Sequence, residues 1–225
     1  MAIAFDIASD GGLVNPGTSL TWSHTCTGSD LILFAGCFGQ TGSDVITGIT
    51  YNGVAMTLVD KILEGGASGR YTYLFYLLNP ATGAHDVVIS ASGSTAISGL
   101  AASYTGVKQS GQPDASAKNS AAGLAGNTDY TTSVTTIADN CWTVLFAKNN
   151  SGAPTASTGS TEREDNGNGI GIYDSNGVIT PAGARSMLVK TAGVADWGSV
   201  MASFAPAVTT SVKDVIGSGF IPHAR

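Results

Sequence analysis

The stretch Pro80–Tyr104 reads PATGAHDVVISASGSTAISGLAASY, and Pro181–Phe204 reads PAGARSMLVKTAGVADWGSVMASF. With one deletion beside the proline the two stretches align without a gap. The offset is constant, since 183 − 83 = 100 and 203 − 103 = 100. Each copy contains an apolar run, a turn signal at Gly93 or Gly193, and a second run that ends on an aromatic residue. A duplicated supersecondary unit decides the fold, and this one predicts two equivalent hairpins, one in each half of a single body.

The composition indicates a folded protein with a large core. Hydrophobic residues make up 43% of the 225 residues and charged residues only 12%, about half the usual share. The net charge of −6 is small and the ten Lys and Arg residues are scattered, so we expect no nucleic-acid partner. No apolar run approaches the ~20 residues that cross a bilayer, and the first residues lack the pattern of a signal peptide. We therefore expect no membrane partner and no secretion signal.

Short alternating or apolar runs separated by turn residues predict strands along the whole chain. Leu31–Phe38 is apolar on both faces, which predicts a central strand covered on each side. Asn52-Gly53 separates two further strands and is a strong hairpin signal. Ala2–Ile7 is expected to be an edge strand followed by a loop.

The second half begins again with a similar order of elements. Leu145-Phe146-Ala147 answers Leu33-Phe34-Ala35, and Ser133-Val134-Thr135 answers Ser19-Leu20-Thr21. Between the halves, the polar segment Lys108–Tyr130 is expected to be a surface crossing with at most a short strand.

These elements predict an all-β protein. We expect a two-sheet β-sandwich of jelly-roll or Greek-key type, with an internal pseudo-repeat. The constant offset favours one domain over residues 1–207, built from two related halves whose apolar faces cover each other. Residues 208–225 are predicted to form an extended C-terminal arm.

The arm carries apolar residues after the last core strand, where a disordered tail would avoid them. It packs back on its own domain in one interpretation and docks on a neighbouring subunit in the other. The residues predicted to form the interface are Val212, Val215, Ile216, Phe220 and Ile221.

Residues that carry chemistry are few. The histidines at 24, 85 and 223 have no second ligand at metal-binding spacing. Ser23 and His24 are neighbours on a strand and point to opposite faces, so they do not form a catalytic pair. Cys26, Cys37 and Cys141 lie in strand patterns, which predicts buried free thiols and no disulfide.

The loop Glu162–Gly169 contains the only dense group of carboxylates. Glu162, Glu164 and Asp165, with Asn166 and Asn168, offer oxygen ligands for a hard cation. Their spacing does not match a calcium loop, which favours a solvated loop instead. We therefore expect no catalytic residue, no metal site and no cofactor.

Several segments together resemble a known family. They are DLILFA at 30–35, ITGITYNGVAMTLV at 46–59, LFYLLNPATGAHDVVIS at 74–90, ASYTGVKQSGQPDAS at 102–116 and W-G-x-x-x-A-S-F-x-P at 197–206. The order is similar to a β-sandwich module of bacteriophage structural proteins that recurs in secreted bacterial surface proteins. This resemblance covers Ser19–Pro206 and implies a fold and a virion-associated or extracellular location, without catalytic residues.

Two functions are consistent with these observations. The first is a non-enzymatic virion component, a decoration or accessory protein of a capsid or tail. Its partners would be other virion proteins and copies of itself, in a small closed ring for which we expect a trimer. The alternative is a carbohydrate-binding or adhesion module with a host-surface glycan as partner. That function needs exposed aromatic side chains, for which Tyr51, Tyr71, Tyr73 and Trp197 are candidates, although alternation places most of them in the core.

Overall fold

A computed structural model of the chain describes residues 1–65 and 69–208, and every regular element within them is a β-strand. The strands are β1 (Ala4–Cys26), β2 (Ile32–Gln40), β3 (Ile46–Tyr51), β4 (Val54–Ala55), β5 (Thr57–Leu63), β6 (Arg70–Leu78), β7 (Gly83–Thr105), β8 (Ala115–Leu124), β9 (Asp129–Thr135), β10 (Trp142–Asn149), β11 (Thr155–Ala156), β12 (Thr161–Asn166), β13 (Ile170–Asp174), β14 (Ala184–Lys190) and β15 (Ala195–Phe204). All pairs of strands are antiparallel. The predicted all-β class is confirmed.

The two halves repeat one topology. In the first half the sheet order includes β5-β6-β2-β7-β1, and in the second half it is β12-β13-β10-β15-β8. The register repeats as well. Ile32 lies opposite Tyr104 in the first half, and Trp142 lies opposite Phe204 in the second. Equivalent residues of β2 and β10 are therefore 142 − 32 = 110 positions apart, and those of β7 and β15 are 204 − 104 = 100 positions apart. The second half therefore repeats the pairing of the first, strand by strand.

Even an irregularity is repeated. The register of β5 against β6 shifts between Leu58 and Asp60, and that of β12 against β13 shifts between Glu162 and Glu164. Bulges are specific local features. A bulge at the same place in both halves supports a duplication of the whole half, beyond the stretch that the sequence alignment covers.

The predicted hairpins do not form, although the offset of 100 residues holds. The first copy is the single long strand β7, and the second copy is split into β14 and β15, which belong to different sheets. Gly93 is therefore part of a strand, because β1 pairs with β7 on both sides of it and extends its ladder.

Each half is a two-layer sandwich, and in the first half the long strands β1 and β7 fold over to form both layers. A Cβ added at Gly11 would lie 2.7 Å from the ring of Trp22 on the same strand β1. A Cβ at Gly99 would lie 2.6 Å from Ile89 on the same strand β7. The two ends of the β1–β7 ladder thus face each other and enclose a core of their own, which includes Trp22, Ile89 and Ile97. In the second half β9 and β14 cover β10 and β15 in the same way, over Tyr130, Met187 and Trp197.

A third core joins the halves. It contains Phe34, Leu100 and Tyr104 of the first half and Phe146 and Phe204 of the second. The inner sheets therefore stack face to face, each with an outer layer behind it. The sandwich has three hydrogen-bonded sheets, one more than predicted. The sheet of the first half folds over on itself and forms two layers, so the three sheets together form four layers. Each half thus has a complete second layer of its own.

Three segments differ from the sequence interpretation. The polar crossing contains the ten-residue strand β8, the acidic loop begins as strand β12, and the N-terminal edge strand continues without interruption through β1. Leu145 is the equivalent of Ala35 and not of Leu33, because the register sets an offset of 110 between β2 and β10. A shift of two residues preserves the alternation of faces, so the pattern alone could not distinguish the two alignments.

Gly36 lies at the centre of the contact between the halves. A Cβ added to it would meet the ring of Phe146, the residue that occupies the equivalent position of the second half. The aromatic ring of one copy thus fills the space that glycine leaves in the other. Gly36 is required by this close approach of two layers.

We expect Gly36→Ala to lower the free energy of unfolding by about 1–3 kcal/mol, because the added methyl group overpacks a filled core. Gly48→Ala is the matched control. It changes a strand glycine whose Cβ would meet nothing within 4 Å, and its effect should stay within about 0.5 kcal/mol. Equal denaturant midpoints for both variants would contradict the described packing of the inner sheets.

Candidate functional site

His24 belongs to a buried hydrogen-bond chain. Its Nδ1 lies 2.7 Å from the hydroxyl of Ser9, and its Nε2 lies 3.2 Å from the hydroxyl of Ser103. Ser103 donates to a carboxylate oxygen of Asp6 at 2.7 Å. The imidazole is 1% exposed, so no substrate reaches it.

The second half repeats part of this chain. Ser203 donates to Asp114 as Ser103 does to Asp6, at an offset of 100 for serine and of 114 − 6 = 108 for aspartate. The backbone amide of the following segment also donates to the aspartate in both halves, from Thr27 and from Ile137. A feature present in both halves serves the common architecture. We conclude that the aspartate–serine pair anchors the start of each half to its last strand.

Val134 takes the place of His24 in the second half. Val134 lies opposite Arg185, and His24 lies opposite His85, which is the equivalent of Arg185 at the offset of 100. Burial lowers the pKa of His24 from 6.5 to about 4, while the nearby charge of Asp6 opposes this change. His24 is therefore neutral at pH 7.

The three cysteines are free and buried, as predicted. Burial raises the pKa of the Cys37 thiol well above its usual range and that of Cys141 to about 12. The Cys141 thiol lies 3.2 Å from a carboxylate oxygen of Asp114, which also raises its pKa. Thiols in this state are poor nucleophiles.

The oxygen atoms of the acidic segment Glu162–Gly169 do not converge on a common cation position. Asn166 is buried and donates to Asp10 at 2.8 Å and to Ser98 at 3.0 Å, both in the first half. Its oxygen accepts from the amide of Asn168 at 3.1 Å. Within residues 1–65 and 69–208, no group of three His, Cys, Asp or Glu side chains could hold a metal ion. Asn166 instead connects the two halves.

The aromatic candidates do not form an exposed platform. Tyr51, Tyr73 and Trp197 are buried, and Tyr71 is half-buried with its ring 6.1 Å from that of Tyr73. They contribute to the core of their own half, as the alternation in the sequence indicated for most of them.

A polar cleft opens between the halves at the far ends of β2 and β10. It has a volume of about 200 Å³. Its walls carry Arg70 and the amide residues Asn15 and Gln40 from the first half, with Asn150 and Asn168 from the second. Clefts between packed units with a few converging polar groups are typical of small-molecule sites. Sequence reasoning did not identify this cleft, because its residues come from strands distant in the chain.

Lys148 forms the buried floor of the cleft. The residue is 3% exposed, its Nζ donates to the carbonyl oxygen of Asn149, and it lies 4.8 Å from the centre of the Phe38 ring. Burial lowers the pKa of Lys148, while the charge of Glu64 acts in the opposite direction.

Glu64 lies behind this floor. A Cβ at Gly198, the residue opposite Lys148, would lie 3.3 Å from Cγ of Glu64. Glu64 is 1% exposed, burial raises its pKa, and neither carboxylate oxygen has a hydrogen-bond partner among the described residues.

An apolar groove of about 530 Å³ lies at the opposite end of the inner sheets. It is lined by Met1, Ala2, Ile3, Asn140, Val178, Pro206, Ala207 and Val208. Val178 is 52% exposed and Val208 is 78% exposed. The ammonium group of Met1 donates to the carbonyl oxygen of Ala207 at 3.0 Å, which holds the two ends of the described chain together. The predicted interface residues Val212, Val215, Ile216, Phe220 and Ile221 lie outside the described residues.

Comparisons with known proteins identify no relative. No family model, no curated protein and no solved structure matches this chain. The described part of the chain also contains no helix of the length and hydropathy that a membrane span requires.

We expect the contribution of His24 to the stability of the protein to decrease as the pH falls from 6.5 to 4, while Glu64, whose pKa is raised by burial, contributes in the opposite direction. The folded state keeps His24 neutral in this range while the unfolded state binds a proton, which costs about 3 kcal/mol in total at 1.36 kcal/mol per pKa unit. His24→Val copies the residue of the second half and should remove this contribution. Urea titrations at several pH values measure it, and parallel pH profiles for both proteins would contradict the assignment.

A thiol reagent should find no reactive cysteine in the native protein and three after denaturation. Burial of Cys26, Cys37 and Cys141 is the reason. Fewer than three thiols in denaturant without reductant would indicate a disulfide, and rapid reaction of the native protein would contradict the burial.

Proposed function

We propose that the protein is a non-enzymatic structural component of a bacteriophage particle, a decoration or accessory protein of the capsid or tail. It assembles with copies of itself and with other virion proteins. The resemblance of its segments to a phage β-sandwich module supports this function. The apolar groove beside Val208 supports assembly with other copies.

The groove is apolar and open, and Val208, the last described residue, contributes to its lining. Its lining includes Val178 and Val208, two exposed apolar side chains that lie together in one concave surface. Apolar surface of this kind is often covered by a protein partner. Residues 209–225 follow directly and carry five large apolar side chains. We infer that this C-terminal segment of one copy occupies the groove of a neighbouring copy.

The reach of the segment allows such an exchange. Seventeen residues span at most ~56–61 Å when extended, enough to bridge two bodies of this size. Burying each large apolar side chain contributes ~1.5–3 kcal/mol. Ordering each residue costs ~1–2 kcal/mol. Docking therefore also requires main-chain hydrogen bonds between the segment and the edge of a partner sheet.

The placement of reactive groups supports a function without catalysis. His24, Ser103 and the cysteines are buried and form hydrogen bonds or contacts within the protein. The aspartate–serine contact occurs in both halves and serves their architecture. A structural protein needs this rigidity and no exposed nucleophile.

The test is a complementation experiment with two variants. A protein lacking residues 209–225 keeps the groove, and full-length Val178→Lys keeps the segment but places a charge in the groove. We expect the wild type to form a small ring, a trimer in the simplest case, and each variant to be monomeric by light scattering. Mixing the two variants should restore a hetero-oligomer, because one contributes the groove and the other the segment.

The control is Val194→Lys, which alters an exposed valine (72%) outside the groove and should assemble like the wild type. Monomeric wild-type protein, or variants that do not associate on mixing, would contradict exchange between copies. Retention on purified phage particles tests the virion location separately, and full retention of the truncated protein would overturn a role of the segment in attachment.

A further inference from the structure

The cleft between the halves has the polar groups of a ligand site. Its walls converge from four strands of the first half and two segments of the second. Asn15, Gln40 and Asn150 are exposed at the rim, and Asn168 and Arg70 are half-buried. A side-chain amide offers both donors and an acceptor, so it pairs with a hydroxyl group in either role. Four amides around one small cavity therefore suit a ligand with several hydroxyls.

The charge of the cleft is opposite to that of the protein. The chain carries a net charge of −6, with 16 acidic and 10 basic residues. Among the described residues that line the cleft, Arg70 and Lys148 are the charged ones and no carboxylate is present. The guanidinium of arginine binds a carboxylate through two parallel hydrogen bonds. Glu64 behind the floor offsets part of this positive charge. The two cations at the cleft still favour an anionic ligand.

Lys148 departs from the repeat at this place. Its equivalent in the first half is Phe38, a core residue, since 148 − 38 = 110 as for the rest of the two strands. Burying a lysine costs free energy, which the charge of Glu64 behind it offsets only in part. The phenylalanine of the first half shows that the architecture is compatible with an apolar residue here. A buried cation beneath one wall of the cleft is thus a feature of the cleft, and not of the repeated scaffold.

The size of the cleft limits the ligand to one ring. Its volume of about 200 Å³ equals that of about seven liquid water molecules at ~30 Å³ each. Sites for drug-sized ligands begin near ~300 Å³. A single pyranose unit with its substituents fits this space, and a buried oligosaccharide does not.

We propose that the cleft binds a carboxylate-bearing sugar unit of the hexuronic-acid type, with Arg70 on the carboxylate and the amides of Asn15, Gln40, Asn150 and Asn168 on the hydroxyls. Lys148 contributes its positive charge from the floor. This binding activity goes beyond the structural role proposed above and does not depend on assembly, because all of its residues belong to one copy. Its chemistry fits a terminal or accessible acidic sugar of a surface polysaccharide.

The experiment is a titration followed by ¹⁵N–¹H NMR, for which a 22.6 kDa protein is suitable. The probes are methyl glucuronide, its neutral counterpart methyl glucoside, and inorganic phosphate. We expect methyl glucuronide to bind in the millimolar range and to shift the side-chain amide signals of Gln40 and Asn150. Methyl glucoside should bind about tenfold more weakly or not at all. Phosphate should not displace the glucuronide, because it leaves the amides unused.

Two variants test the assigned contacts. Arg70→Gln and Asn150→Ala should each weaken glucuronide binding, Arg70→Gln by about tenfold or more, since ~1.4 kcal/mol corresponds to a factor of ten. Lys108→Gln is the matched control. It removes an exposed cation at the other end of the sheets, where Lys108 pairs with Ala205, and it should bind like the wild type.

Three results would overturn the proposal. They are no shift with methyl glucuronide, equal affinity for the glucoside, and unchanged binding by Arg70→Gln. Displacement by phosphate at similar concentration would indicate an anion site without sugar recognition and would also overturn it. None of these results bears on the complementation experiment, so the two proposals succeed or fail separately.

Discussion

The packing of the two inner sheets against each other is the contact on which the rest of the structure depends. It requires β2 and β10 to be covered on both faces, and both strands are buried along nearly their whole length. Gly36 allows the layers to approach because Phe146 occupies the space above it. Each inner sheet then still has an apolar outer face, and the fold covers it by bending β1 and β7 over in the first half. In the second half the separate strands β9 and β14 have the same role.

The sequence predicted the class of the fold and its duplication, and it missed the way the strands bend. The offset between Gly83 and Gly183 holds in the structure, because pairing partners impose the same apolar pattern on both copies. Gly93 was interpreted as a turn residue, because glycine is compatible both with a turn and with a bent strand. Only the pairing of β1 with β7 on both sides of Gly93 distinguishes the two. The strand β8 was missed because its residues are small and polar, and its place in the sheet comes from β15.

The functional regions were harder to predict than the fold for a related reason. The cleft assembles from the ends of strands that are far apart in the chain, so no local motif marks it. Lys148 was the one visible signal, a charged residue at the end of the apolar run CWTVLFAK. The repeat makes that signal interpretable. Features shared by the halves, such as the contact of Asp6 with Ser103, serve the scaffold, and features confined to one half identify places where the sequence has been free to change.

The contacts between the halves are reciprocal. Asp10 of β1 accepts from Asn166 of β12, and Lys118 of β8, at the position equivalent to Asp10, donates to Asp60 of β5. Such an arrangement is that of a two-fold symmetric dimer, in which each contact occurs twice. In a dimer of identical chains every substitution appears in both subunits, so the two equivalent positions always carry the same residue. Joining the two copies in one chain removes that obligation. Phenylalanine and lysine can then face each other across the pseudo-axis. The molecule thus has an asymmetric cleft where a symmetric dimer would have a cleft with two identical walls.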